Sequence, residues 1–309
     1  MNRLLTILAA ALLSLTLFGA RTAQAATCDA SVSNINFGAI SVRSGAVNRT
    51  SGTLTVNCRG ALVNVLGVCL RFGAGQGGAG SGNNPRYMRG PGNEALAYQL
   101  RPLGHGSGFG VLETLYVPVP IVLGAGSAQV PIYGDIISRS VSVGSGDYSS
   151  TFSGSADIEM VYGVLACNLP GQTATVPPFS VSAQVVPSCE LLVSPLAFGI
   201  VSSSLTQPKD AAASITVRCT SDTNYSVALG GGQSNDPANR ILRNGTETLS
   251  YGLYRDAARS ALWGETSGTT AAGYGTGTDN VFTVYGRIHA GQNAFVGVYT
   301  DNVVVTVNY

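Results

Sequence analysis

Six cysteines and two histidines are the residues here whose types could support redox, metal or nucleophilic chemistry. Cys28 and Cys58 stand 30 positions apart, and Cys189 and Cys219 repeat that interval. No C-x-x-C pair occurs, and His105 and His289 lie in different halves of the chain. Structural zinc takes four converging Cys or His ligands, so this set reads as disulfides instead. An even count at a repeated spacing leaves no free thiol for catalysis. The repeat pairs Cys28 with Cys58 and Cys189 with Cys219, which leaves Cys69 for Cys167. Closing a loop of about 30 residues is worth roughly 3–4 kcal/mol in the chain-entropy model. Other patterns fail on context. Gly73-x-Gly75-x-x-Gly78 follows a strand-like stretch, but the Gly-, Asn- and Pro-rich 78–86 cannot start the helix that a dinucleotide site needs. No G-x-S-x-G elbow occurs. The expectation is a non-enzymatic protein with no catalytic residue, metal or cofactor.

Disulfides require an oxidising compartment, and the start of the chain offers a route to one. Asn2-Arg3 precede an apolar run from Leu4 to Phe18, and Ala23-Gln24-Ala25 resembles a cleavage site. Residues 1–25 therefore read as a secretory signal peptide, with the mature chain starting at Ala26. Net charge is +1 with 11% charged residues. No basic stripe is available to neutralise phosphates, so nucleic acid is not an expected partner.

The elements that must position the cysteines are short, repeated strands. TLTVNC (53–58) matches SITVRC (214–219), LAYQL (96–100) matches LSYGL (249–253), and VPIYG (130–134) matches FTVYG (282–286). ADIEMVY (156–162) corresponds to VVVTVNY (303–309), whose Val303, Val305 and Val307 share one face by the period-two rule. Repeated strands with Gly-rich turns predict an all-β chain of two antiparallel sandwiches, over 26–186 and 187–309. DAARSAL (256–262) is the one helix-like stretch beyond the signal. After its last matched strand the first copy continues through Phe179, Val181, Ala183 and Val185. That alternation reads as a self-complementing closing strand, against the alternative of a Pro-rich linker over 163–188. The second copy stops at Tyr309 without an equivalent. It is expected to be a strand acceptor, with Val303, Val305 and Val307 lining the groove.

Several motifs together carry a resemblance. They are Cys-x8-Phe-Gly at Cys28 and Cys189, Ile215 to Cys219, Leu249 to Tyr254, Leu262-Trp263-Gly264, Val284 to Ile288, Gly297-x-Tyr299-x-Asp301 and Val305 to Val307. The pattern resembles the spore coat protein U domain family, over nearly all of the second copy and less closely over the first. Phe109-Gly110 replaces the Trp-Gly of the second copy, and Cys69/Cys167 are extra. The family is similar to subunits of archaic, Csu-type chaperone–usher pili. That resemblance implies immunoglobulin-like sandwiches in tandem, the second lacking its final strand. The implied partners are a periplasmic pilus chaperone, an outer-membrane usher and an adjacent pilin that donates an N-terminal strand. Only Ala26 and Thr27 would precede Cys28 after cleavage, too few to donate. A subunit that accepts and cannot donate is expected at the pilus tip, exported through the periplasm to the cell surface.

Comparing the two copies nominates binding loops. RGALVNVLGV (59–68) stands where the second copy has TSDTN (220–224), and VLETLYVPVPIVL (111–123) where it has a polar run over 265–280. The candidates for contact with a hydrophobic or host surface, in attachment and biofilm formation, are Leu62, Val63, Val65, Leu66, Val111, Leu112, Leu115, Tyr116, Val117, Val119 and Ile121. Either segment could instead be a core strand, although Pro118 and Pro120 argue against a central one. The competing functions are a lectin-type adhesin and a secreted coat or matrix protein.

Overall fold

The computed structural model describes residues 25–81, 84–102, 108–138, 141 and 143–309. The expected signal peptide, apart from Ala25, and His105 lie outside the described residues. Two apolar cores form, one from Cys28 to Val185 and one from Leu205 to Ile288.

The first sandwich is built from β1 (Thr27–Val32), β2 (Ile35–Ile40), β3 (Arg49–Arg59), β4 (Val65–Phe72), β5 (Arg86–Arg89), β6 (Ala95–Pro102), β7 (Thr114–Pro120), β8 (Ala125–Ile136), β9 (Gly146–Phe152), β10 (Ile158–Val164), β11 (Gln172–Ala174) and β12 (Phe179–Val185). One sheet runs β1-β3-β8-β6-β5-β9-β12-β2, and the other β11-β10-β4-β7. Alternation decides which side chains face inward. In β12 Phe179, Val181, Ala183 and Val185 are all buried, and the residues between them are more exposed. β12 lies antiparallel to β9 and parallel to β2, the one departure from an antiparallel pattern among the named pairings. Its first ring, Phe179, stacks on Phe152 at 4.6 Å and meets Phe72 edge-on.

The second sandwich comprises β13 (Cys189–Val193), β14 (Ser204–Leu205), β15 (Lys209–Cys219), β16 (Asn224–Leu229), β17 (Arg240–Asn244), β18 (Glu247–Tyr254), β19 (Ala271–Tyr274), β20 (Asn280–Ile288), β21 (Gln292–Asn293) and β22 (Val305–Asn308). Its sheets run β13-β15-β20-β18-β17, β19-β16-β22 and β14-β21. No counterpart of β2, β9, β11 or β12 is formed in it. The helix-like 256–262 is a turn: the Asp256 carboxylate accepts the N–H groups of Ser260 and Ala261, competing with helical hydrogen bonding.

The disulfides pair Cys28–Cys58, Cys69–Cys167 and Cys189–Cys219. The first and third join directly opposite residues of β1/β3 and β13/β15. A buried arginine is also repeated. Arg86 donates to the carbonyls of Phe72, Gly73 and Phe109, and Arg240 to those of Leu229, Gly230, Pro237 and Trp263. Each guanidinium caps the end of a strand whose carbonyls have left the ladder. Burial pulls the Arg86 pKa down to about 10 and lowers that of Arg240.

Candidate functional site

Two regions of the surface are unusual: a groove along the second sandwich and one end of the first. The groove is clearest beside its filled counterpart. Phe37-Gly38 and Phe198-Gly199 are equivalent, so β2 corresponds to 196–201; Gly146-x-Tyr148 corresponds to Gly297-x-Tyr299, so β9 corresponds to 297–301. In the first sandwich β12 lies between β2 and β9 and supplies the hydrogen bonds that make both of them strands. In the second sandwich 196–201 and 297–301 flank a gap and form no strand.

Adjoining cavities of about 370 and 610 Å³ run along that gap. Leu196, Phe198, Leu242, Tyr251, Val303 and Val305 are among the residues lining the first. Val303 and Val305 thus face the groove, and Val307 packs half-buried against the same core, where it pairs with Val227 on β16. Inward-facing Leu191 and Val193 are 42% and 44% exposed, whereas their equivalents Ala30 and Val32 are buried at 2% and 8%. A core of this kind is open along one side. A carboxylate lies among the groove's apolar residues: Asp301 accepts from the Tyr251 hydroxyl at 2.7 Å and from the N–H groups of Gln233 and Asn302. Burial and this carboxylate raise the Tyr251 pKa. Trp263 is buried, with its indole N–H on the Val227 carbonyl at 2.9 Å, so it serves packing.

The apolar end belongs to the first sandwich. Strand pairings Arg59↔Ala125, Val65↔Pro120 and Gly67↔Val164 bring three loops together: β3–β4, β7–β8 and β10–β11. The Ile121 N–H donates to the Asn64 carbonyl at 2.8 Å, tying the first two. Cys167 in the third loop is bonded to Cys69 in β4. Each loop presents apolar residues to solvent: Leu62 and Val63, with Val65 at the adjoining start of β4; Val122 and Leu123; Leu165 and Leu169. Leu62 is 99% exposed and Leu123 is fully exposed. Leu123 also takes a left-handed φ of 51° in a two-residue hairpin with Gly124 at 83°. Asn or Asp usually fills such a position, so an exposed leucine there is held against local preference.

Six of the eleven nominated surface residues are corrected by this geometry. Leu66, Val111, Leu115, Val117, Val119 and Ile121 are buried in the core. β7 alternates, with Leu115, Val117 and Val119 inward, while Tyr116, Pro118 and Pro120 point out. Its prolines are tolerated because β7 is an edge strand. Leu112 and Tyr116 are exposed but sit away from the end, before β7 and midway along it. Leu62, Val63 and Val65 do converge there. Val122 and Leu123 close the apolar segment 111–123 without being among the nominated residues, and Leu165 and Leu169 lie outside both nominated segments. Their signal was an apolar pair at a Gly turn and leucines flanking an unrepeated cysteine.

The Spore Coat Protein U domain model matches residues 14–154 and 175–306. The chain belongs to the Spore Coat Protein U domain family. The second match of this family begins ahead of β12, so by sequence that strand goes with the second copy while it completes the first. A curated relative, Protein U of Myxococcus xanthus, is 36% identical over 104 residues, which is 31% of this chain and 58% of the relative. Among solved structures, the CsuC–CsuE chaperone–tip adhesion subunit pre-assembly complex of Acinetobacter baumannii aligns with 92% of this chain and 100% of the matched chain. The TM-score is 0.56 at 17% identity, which establishes a shared two-sandwich fold. The CupB6 tip adhesin of Pseudomonas aeruginosa aligns with 91% of this chain and 93% of its own, at 12% identity and a TM-score of 0.35.

Proposed function

We propose that this chain is the tip subunit of a chaperone–usher pilus, attaching cells to surfaces and promoting biofilm formation. Its second sandwich, over 187–309, accepts a strand from the adjacent pilin, after a periplasmic chaperone has held the groove and an outer-membrane usher has exchanged the occupants. Its first sandwich, over 26–186, presents the apolar end to a hydrophobic or host surface. The role is mechanical and non-enzymatic. The observation that carries the reading is the open groove of the second sandwich, at the place where the first holds β12. The similarity to a chaperone–tip adhesion complex supports it at the level of fold. Backbone pairing along 196–201 and 297–301 would supply affinity, and alternate side chains would fill the apolar floor.

The end of the first sandwich gives the adhesive part its chemistry. Exposed Leu62, Leu123 and Leu165 sit on loops fixed by a hairpin, a backbone hydrogen bond and a disulfide. A fully buried leucine gains about 1.5–3 kcal/mol, a flat surface recovers part of that, and many tips on one cell add avidity.

Two measurements test the two halves. Appending a flexible linker and a copy of residues 179–185 after Tyr309 should raise the melting temperature of the second sandwich by more than about 10 °C; an unchanged melt refutes strand acceptance. Replacing Leu62, Leu123 and Leu165 together with Asn should reduce retention on polystyrene at least about tenfold with an unchanged melt. Asn suits the left-handed turn at 123, so folding is preserved. Full retention, or its loss to a soluble sugar, would remove the hydrophobic reading.

A further inference from the structure

We infer that the mouth of the groove in the second sandwich is a docking surface, for the folded body of the same chain whose strand fills that groove. The inference rests on the strand-acceptance reading above. Its template is the joint inside this molecule. β12 leaves the first sandwich with Val185 paired to both Gly146 and Ile40, and the Val186 N–H donates to the Ile40 carbonyl at 2.9 Å. The body that follows then meets the sandwich just completed. The Ser44 N–H donates to Glu190 at 2.8 Å, and the Ser145 N–H to the Ser221 carbonyl at 3.5 Å. A closing strand in β12's orientation therefore delivers its own body to the place occupied by Ser145.

The equivalent of that place is well defined. Tyr148 donates its hydroxyl to the Gly144 carbonyl at 3.0 Å, and Tyr299 makes the same contact to Phe295 at 3.2 Å. Val296 thus stands where Ser145 stands. In the first sandwich the positions around the exit hold Ala39, Gly144, Ser145 and Asp147. In the second they hold Ile200, Phe295, Val296 and Val298, between 72% and 97% exposed, on the wall of the larger cavity at the mouth of the groove. A strand alone would not cover all four. With β12 in place, Ala39 and Asp147, the counterparts of Ile200 and Val298, remain exposed. Large apolar residues at every one of these positions fit a partner that reaches beyond the groove. The chain emerging from the groove at Gly297 and Val201 is the one placed to supply it. A joint with polar contacts in the first sandwich becomes apolar in the second.

The test uses the full chain in its native cells, with the photo-reactive residue p-benzoylphenylalanine at Val296 or, separately, at Phe198 in the groove. Surface-assembled material is cross-linked and the adducts are mapped. Both sites should capture one polypeptide: Phe198 in an extended segment, Val296 in the folded domain C-terminal to it. The inference is overturned if Phe198 captures such a segment while Val296 captures no chain, or a different one. Should Phe198 capture nothing, strand acceptance itself fails and the docking surface goes with it. As a second readout, Val296→Ser with Val298→Ser should release the partner from purified complex about tenfold faster, with Trp263 fluorescence unchanged. An unchanged release rate rejects the surface.

Discussion

The same end of the two sandwiches has opposite chemistry. In the first, the loops after β3 and β7 expose Leu62, Val63, Val122 and Leu123. In the second, the matching loops are Thr220–Thr223 and Gly275–Asp279, short and polar. These polar loops lie at the joint: Ser221 accepts a hydrogen bond from Ser145, and the Asp222 charge contributes to raising the Tyr148 pKa, behind burial and the Glu94 contact. One loop position therefore serves as a joint in one copy and as a free end in the other. Apolar residues accumulate at the end that none of the described residues covers.

The sharpest way to break the comparison is to attack the strand that one sandwich has and the other lacks. Val181 is completely buried in β12, so Val181→Asp should cost more than about 4 kcal/mol and abolish cooperative unfolding of the first sandwich. Val303→Asp, in the open groove, should cost less than about 2 kcal/mol. Because Trp263 is the one tryptophan, its fluorescence in a urea titration reports the second sandwich and near-UV tyrosine ellipticity reports both. Equal losses would mean that the two cores are equally closed.

Next come the paired arginines. Arg86→Met and Arg240→Met each strand buried carbonyls, and about 3–5 kcal/mol should be lost from the sandwich concerned. Only Arg240→Met should move the Trp263 transition. Removing Cys69 and Cys167 together should cost about 2–4 kcal/mol. It should also speed hydrogen exchange over 165–171, loosening the third apolar loop without touching the second sandwich.

The smallest effect is on pH. Burial and the Asp301 carboxylate raise the Tyr251 phenol above its ordinary value, so the neutral form is favoured in the folded state. Its contribution is complete below the unfolded pKa of about 10 and is lost as pH rises beyond it. The second sandwich should therefore show a falling urea midpoint above about pH 10, and Tyr251→Phe should flatten that fall.

The fold was largely legible in the sequence because period-two patterning fixes which side chains face inward. FSVSAQV identified β12, and the matched cysteines stand directly opposite across β1/β3 and β13/β15. The same rule, applied more strictly, separates exposed Val65 from buried Leu66 and turns Leu115, Val117 and Val119 inward. The surface site was less legible. Exposure at a loop tip depends on which loops a topology gathers at one end, and Leu165 is 40 or more positions from Leu123 in sequence. The buried arginines gave no charge partner to read, since their acceptors are backbone carbonyls.

Because β12 is continuous with the second sandwich through Val186, tension between the apolar end and the groove cannot be relieved by a strand simply leaving. A pull transmitted through Val185 drags β12 lengthwise past β9, loading its seven register pairs together in shear instead of peeling them one at a time. Were those pairs to slip, the backbone ahead of Phe179 would still tether the two sandwiches, so this joint cannot part as a non-covalent one can.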